Sequence, residues 1–137
     1  MALTAGATRE MAYTLRQDDL ANALAVDAGD AFPPVFSTSR MIALMEICSA
    51  RLMAPEVSAG QLSVGVGVNV THLAATPGGE SMRAVSTFLG MAGKLYRFKV
   101  QMFDRAGLVG EGTHTRAIVD TARLEKGAVA RIAGAPG

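Results

Sequence analysis

The chain has no tryptophan, five phenylalanines, two tyrosines and a single cysteine, Cys48. A lone cysteine excludes an intrachain disulfide and leaves too few thiolates for a cysteine-based zinc site. It fits a reduced, cytoplasmic protein. Charge is equally scarce, at 18% of residues, and 13 Lys and Arg against 12 Asp and Glu leave a net charge of +1. That balance supplies no long-range field to gather nucleic acid or an anionic membrane surface, so neither is expected as a partner. The longest stretch without a formal charge, Val57 to Gly79, is interrupted by Gln61, Asn69, His72 and Pro77. These residues are costly in hydrocarbon, and a membrane span is not expected. Met1 to Leu15 carries Arg9 and Glu10 and lacks the apolar core of a secretory signal. Gly65-Val-Gly67 has no third glycine at dinucleotide-fingerprint spacing, and no Gly-Lys-Ser/Thr phosphate loop occurs.

What is present is apolar and small. Half the 137 residues are hydrophobic, eight of them methionine, and mean hydropathy is +0.27. No repeat or long linker divides the chain, so one domain over residues 1–137 is expected, its core at about 10–120. Disorder is not expected of such a composition, whereas self-association is, because little charge is available to cover the surface.

Met11 to Leu15 reads as a short strand, and Asp18 to Asp27 as weakly helical with Leu20 and Leu24 four apart. Pro33 and Pro34 keep the apolar Gly29–Phe36 segment extended. Ser37, Thr38 and Ser39 offer helix caps ahead of Met41 to Ala54, which is apolar nearly all round and so predicts a helix buried on most sides. Leu62 to Ala74 alternates Val64, Val66, Val68 and Val70 against Gly65, Gly67 and Asn69. Further strands are expected over Ser81–Gly90, Lys94–Phe103 and Leu108–Val119, with a hairpin turn at Asp104–Gly107. The tail from Thr121 reads as a short strand or helix. A strand, one long apolar helix and four long antiparallel strands imply an α+β hot-dog arrangement, a curved antiparallel sheet around one helix. The sheet edges and the low charge favour a homodimer paired edge to edge.

Few residues could carry chemistry. Glu46 is the only charge between Arg40 and Arg51, and a carboxylate in an apolar helix is costly unless paired or functional. An ion pair with Arg51 or Arg116 is the structural alternative. His72 and His114, the only histidines, lie near strand ends and could shuttle protons or be hydrogen-bonded in place. Thr38 offers a hydroxyl, or a cap, at the helix entrance. Cys48, two residues beyond Glu46 and about 200° round the helix, reads as a small buried hydrophobe.

Phe32-Pro-Pro-Val-Phe-Ser-Thr38, Met45-Glu46, Arg51-Leu-Met-Ala-Pro55, Val70-Thr-His72-Leu-Ala-Ala-Thr-Pro-Gly78 and Gly112-Thr-His-Thr-Arg116 together resemble the fluoroacetyl-CoA thioesterase family of hot-dog proteins. The spacings agree from Phe32 to Val119. The resemblance implies acyl-CoA thioester hydrolysis with Thr38, Glu46 and His72 as a catalytic triad. It further implies that Gly65 admits the substrate carbonyl to the backbone, that Phe32 belongs to a lid, and that Arg116 lies near the site. No cofactor is implied, coenzyme A being part of the substrate. A second lid aromatic of the fluoroacetyl-selective enzyme is matched here by Gly29, so the acyl group is left open.

One constraint is geometric. If Thr38 starts the helix, eight residues set it about 12 Å along the axis from Glu46. Either the chain folds back before Arg40 or a partner subunit completes the site, and a site at a dimer interface is favoured. Two other readings stand beside hydrolysis: a non-catalytic acyl-CoA binding or sensing module, and a hot-dog hydratase, whose usual helical Asp is missing here.

Overall fold

The helix expected from the apolar run begins at the hydroxyl cluster before it. In the computed structural model, which describes residues 3–137, helix α1 spans Thr38–Leu52. Ser37 is its cap: Oγ accepts from the Arg40 amide at 3.1 Å, satisfying one of the unpaired donors of the first turn. Pro55 sits in a 3₁₀ turn, Ala54–Glu56, beyond the other end. One face of α1 is buried, through Met41, Leu44, Met45, Cys48, Ser49 and Leu52. The opposite side is open, with Ile42 and Ala43 half-buried and Ile47 39% exposed. The expectation of a helix buried on most sides is therefore corrected for the single chain, because one sheet can cover only one face.

That sheet comprises β1 (Thr8–Thr14), β2 (Gln61–His72), β3 (Ser81–Ala92), β4 (Leu95–Asp104) and β5 (Gly107–Asp120). The order is β1-β3-β4-β5-β2, and every neighbouring pair is antiparallel. The alternation expected in β4 is present: Phe98, Val100 and Met102 are buried against α1's side of the sheet while Arg97 and Lys99 are exposed. Met82, Ala84 and Phe88 of β3 complete a core in which methionines fill what large aromatics would elsewhere. At the β4–β5 turn the Asp104 carboxylate accepts from the amides of Ala106 (2.8 Å) and Gly107 (3.2 Å). The tail is helical: α2 covers Thr121–Ala133, capped by Asp120. Among the described residues no helix is long and apolar enough to cross a membrane.

The weak helix read over Asp18–Asp27 is instead two 3₁₀ turns, Gln17–Asp19 and Ala21–Leu24. The buried Asp19 carboxylate explains the break. It accepts from the Arg16 amide and the Tyr13 hydroxyl, both at 2.7 Å, and pairs with Arg40 Nε at 2.8 Å. These bonds divert the local backbone from a helical ladder and tie this segment to the first turn of α1.

A third correction concerns β2. Its alternation does not run unbroken from Val64 to Val70. Gly65 pairs with Arg116 and Gly67 with Thr115, so Val66 is an extra residue in a β-bulge. Side-chain parity flips there. Ser63 and Gly65 before the bulge, and Val68, Val70 and His72 after it, share the face toward α1, whereas Val64 points away. In an unbroken strand Gly65 and His72, seven apart, would lie on opposite faces. Among the described residues no strand lies beside the far edge of β2.

Candidate active site

Two clusters hold Thr38 with His72, and Glu46 with Gly65, His114 and Arg116. At the entrance to α1, Thr38 Oγ1 is hydrogen-bonded to His72 Nδ1 at 2.8 Å. Since Ser37 fills the cap position, the Thr38 hydroxyl is released from that task and free to meet the last residue of β2. The His72 ring stands edge-on to Phe36 (centroids 5.7 Å apart, planes at 75°), and its Nε2 is buried with no hydrogen-bond partner among the described residues. Desolvation pulls the imidazole below its ordinary pKa, against an opposing contact with the Ala74 backbone. His72 is thus held neutral near pH 7. A cleft of about 360 Å³ opens on the pair, lined by Pro33, Val35, Phe36, Leu73 and Ala75 among others. Its size suits a small apolar group.

The second cluster surrounds Glu46, one face round from the core. The carboxylate is not deeply buried: its side chain is 38% exposed, and Arg116 Nη1 donates to Oε1 at 3.3 Å. Of the two arginines weighed as partners, Arg116 is the one used. Its guanidinium, 8% exposed, also donates from Nε to Ser63 Oγ and from Nη2 to the Ser63 carbonyl, both at 3.0 Å. The remaining Nη1 proton reaches His114 Nε2 at 3.2 Å. His114 Nδ1 lies 2.8 Å from the Gly67 carbonyl oxygen. A carbonyl only accepts and a guanidinium only donates, so the partners assign the proton to Nδ1 and leave Nε2 bare. Burial lowers the His114 pKa, and Arg116 adds to this, consistent with a neutral ring.

Gly65 completes this cluster. A Cβ at that position would overlap Glu46 Oε1 and stand 3.4 Å from His114 Cε1. Glycine here leaves room for the carboxylate over bare backbone.

The structure therefore joins Thr38 to His72, and Glu46 to Gly65 and Arg116, but not the two groups within one chain. Thr38 is the first residue of α1, so the chain does not fold back before Arg40. Eight helical residues keep Thr38 about 12 Å along the axis from Glu46. Phe32 is 51% exposed on the loop that carries Pro33 and Val35 to the cleft, while Phe36 is fully buried beneath His72. Cys48 is buried, its Sγ set 3.3 Å from the Arg9 carbonyl, and burial raises its pKa. It is a packing residue. Sequence reasoning missed Ser63. The signal was its position two residues before Gly65, hence on the same face.

A curved five-stranded antiparallel sheet carrying one long helix defines a hot-dog protein, here with a carboxylate on that helix and a histidine at the end of an edge strand. Residues 17–122 match the family model described as fluoroacetyl-CoA-specific thioesterase, and the chain belongs to that family. It is 38% identical over 95 residues to a fluoroacetyl-CoA thioesterase of Streptantibioticus cattleyicolor, a match that spans 69% of this chain and 66% of that protein, just under two thirds of its length. The solved structure of the fluoroacetyl-CoA thioesterase FlK superposes with a TM-score of 0.86 at 28% identity, covering 99% of this chain and 100% of that one. A hot-dog-like protein from Thermanaerovibrio acidaminovorans shares the fold, with a TM-score of 0.82 at 24% identity over 96% of this chain and 94% of its own.

Proposed function

We propose that the protein hydrolyses the thioester of a small acyl-CoA at a site shared between two copies of the chain. The observation that carries this reading is the division of one chemical outfit into two halves. The proton-handling pair Thr38–His72 and the held carboxylate Glu46 are each well formed, yet apart in one chain.

A homodimer paired along the free edge of β2 reunites them. That edge is long, uncharged and without proline, the kind that natural sheets otherwise protect. Val66 and Val68 are 56% and 42% exposed on it. An antiparallel pairing centred on Asn69 sets Val70 against the partner's Val68 and Thr71 against the partner's Gly67. With the Val66 bulge passed over, His72 falls opposite the partner's Gly65, which lies against that subunit's own Glu46. Every pair in this register joins residues of one face, as antiparallel pairing requires.

In such a site the substrate carbonyl lies beside Gly65, within reach of the Glu46 carboxylate that occupies the space a Cβ would take. Two routes suit the residues. In one, a Glu46 oxygen bonds to the carbonyl carbon, the C–S bond breaks, and the sulfur leaves as thiolate. The resulting mixed anhydride is cleaved by a water that gives its proton to the neutral His72 imidazole, which passes it on to the thiolate. In the other, Glu46 accepts a proton from water as the water attacks the carbonyl, and that proton returns to the sulfur as the C–S bond breaks. Both give carboxylic acid and free CoA thiol. Thr38 fixes the His72 ring in either route, and Arg116 fixes the carboxylate.

Thiol release measured over a panel of acyl-CoAs of increasing size, a fluorinated one included, tests the proposal. Hydrolysis of the smaller members, lost in Glu46→Gln and in His72→Ala, is expected. Absence of turnover across the panel, with ligand still raising the melting temperature, would replace it by an acyl-CoA binding module.

A further inference from the structure

We infer that His114 is a positioning residue for this reaction, holding Arg116 in the one orientation that fixes the Glu46 carboxylate over Gly65. The inference rests on the thioesterase reading for its kinetics, but not for its geometry.

Arg116 has five N–H donors in a rigid plane, and a guanidinium near a lone carboxylate can present any of its edges. Here the choice is removed. Nε and Nη2 are fixed by the hydroxyl and carbonyl of Ser63, and Nη1 is shared by Glu46 Oε1 and His114 Nε2. His114 is itself immobile: it is buried, packed beside Phe98, and anchored by Nδ1–H to the Gly67 carbonyl just past the bulge. A ring held at one nitrogen can present the other only as an acceptor. The only group on hand that needs an acceptor is Arg116, since His114 Nε2 is 3.9 Å from Glu46 Oε1. His114 thus couples the bulge in β2 to the charge on β5 and the carboxylate on α1. It does not line the open cleft, and its Cε1, 3.4 Å from where a Gly65 Cβ would stand, bounds the space over Gly65 without offering a polar atom to it.

The neutral ring is essential to this role. Protonated at Nε2, His114 would have no lone pair for Arg116 and would face it as a second cation. The charged groups that meet it are Arg116 on its own strand and Glu46 on α1; β2 presents the Gly67 carbonyl and β4 the apolar Phe98.

Three variants test the assignment in the full-length protein, with kcat, KM and melting temperature read for each. His114→Asn keeps a donor near Gly67 but is too short to reach Arg116. His114→Gln keeps a donor and an acceptor. Arg116→Lys removes the fork. His114→Asn should lower kcat about tenfold to a hundredfold, the loss of one hydrogen bond to a charged group, with KM changed less than about threefold. His114→Gln should recover most of that rate. The double variant His114→Asn with Arg116→Lys should be no slower than Arg116→Lys alone, because the two act as one unit. Unchanged kcat in a folded His114→Asn protein, or independent losses in the double variant, would overturn the inference. Nitrogen chemical shifts of the imidazole give a readout that needs no activity: Nδ1 protonated and Nε2 bare are expected, and the opposite tautomer would refute it. A wild-type protein without hydrolysis would sink the thioesterase reading and leave the tautomer result to decide the role of His114.

Discussion

Gly65 and Glu46 occupy space that admits only one side chain: a Cβ on Gly65 would overlap Glu46 Oε1. The atom in the way belongs to the end of a side chain that is 38% exposed and able to swing aside. Gly65→Ala should therefore fold, with a melting temperature within a few degrees of wild type (about 1 kcal/mol or less at a surface position). It should lose kcat by tenfold or more, because the displaced carboxylate leaves Arg116 and the substrate position. Added to Glu46→Gln, which removes activity by itself, it should lower the residual rate no further. Steady-state kinetics and a thermal melt of each protein provide the check.

Ser37 and Thr38 are adjacent hydroxyls with separate tasks. Ser37 is buried and caps α1, so Ser37→Ala should cost about 1 kcal/mol of stability. Thr38 is exposed and bonds His72. Thr38→Ala should leave the melting temperature nearly unchanged and lower kcat, while Thr38→Ser should retain most of the rate. Activity falling in Ser37→Ala without destabilisation would contradict this division.

Both histidines have pKa values lowered by burial, His72 and His114 alike. A group easier to protonate when unfolded, near pH 6.5, makes the unfolded state bind more protons as pH falls. The stability contributed by keeping the rings neutral is therefore present above about pH 6.5 and lost progressively below it. Denaturant midpoints should fall between pH 8 and pH 5, and His114→Gln should flatten the slope. A slope unchanged by that substitution would show that His114 does not contribute.

The element order, the helix and the four later strands were legible because each obeys a plain periodicity. Phe98, Val100 and Met102 against Arg97 and Lys99 state the face of β4 outright. Glu46 stood out because so little charge surrounds it. The bulge at Val66 was not legible, since a run of alternating valines and glycines reads the same with or without one extra residue. Missing it put Gly65 and His72 on opposite faces and hid Ser63. The cap was ambiguous for a related reason: three successive hydroxyls all suit the position, and the choice fell to the Asp19 backbone, whose carbonyl accepts from the Ser37 amide at 3.0 Å. Nothing in the sequence sets the buried Asp19 apart from Asp18 beside it. The open side of α1 could not be foreseen either, because an all-apolar helix does not say whether its own chain or another covers it.

The central claim is that each site takes His72 from one chain and Glu46 from its partner. Mixing subunits tests it most directly. Glu46→Gln and His72→Ala homodimers should each be inactive. Unfolded together and refolded as a mixture, half the dimers are mixed, and each of these carries one site with an intact His72 and an intact Glu46. Activity should return to about a quarter of the wild-type rate. A refolded mixture that forms mixed dimers yet stays as inactive as its parents would contradict the shared site.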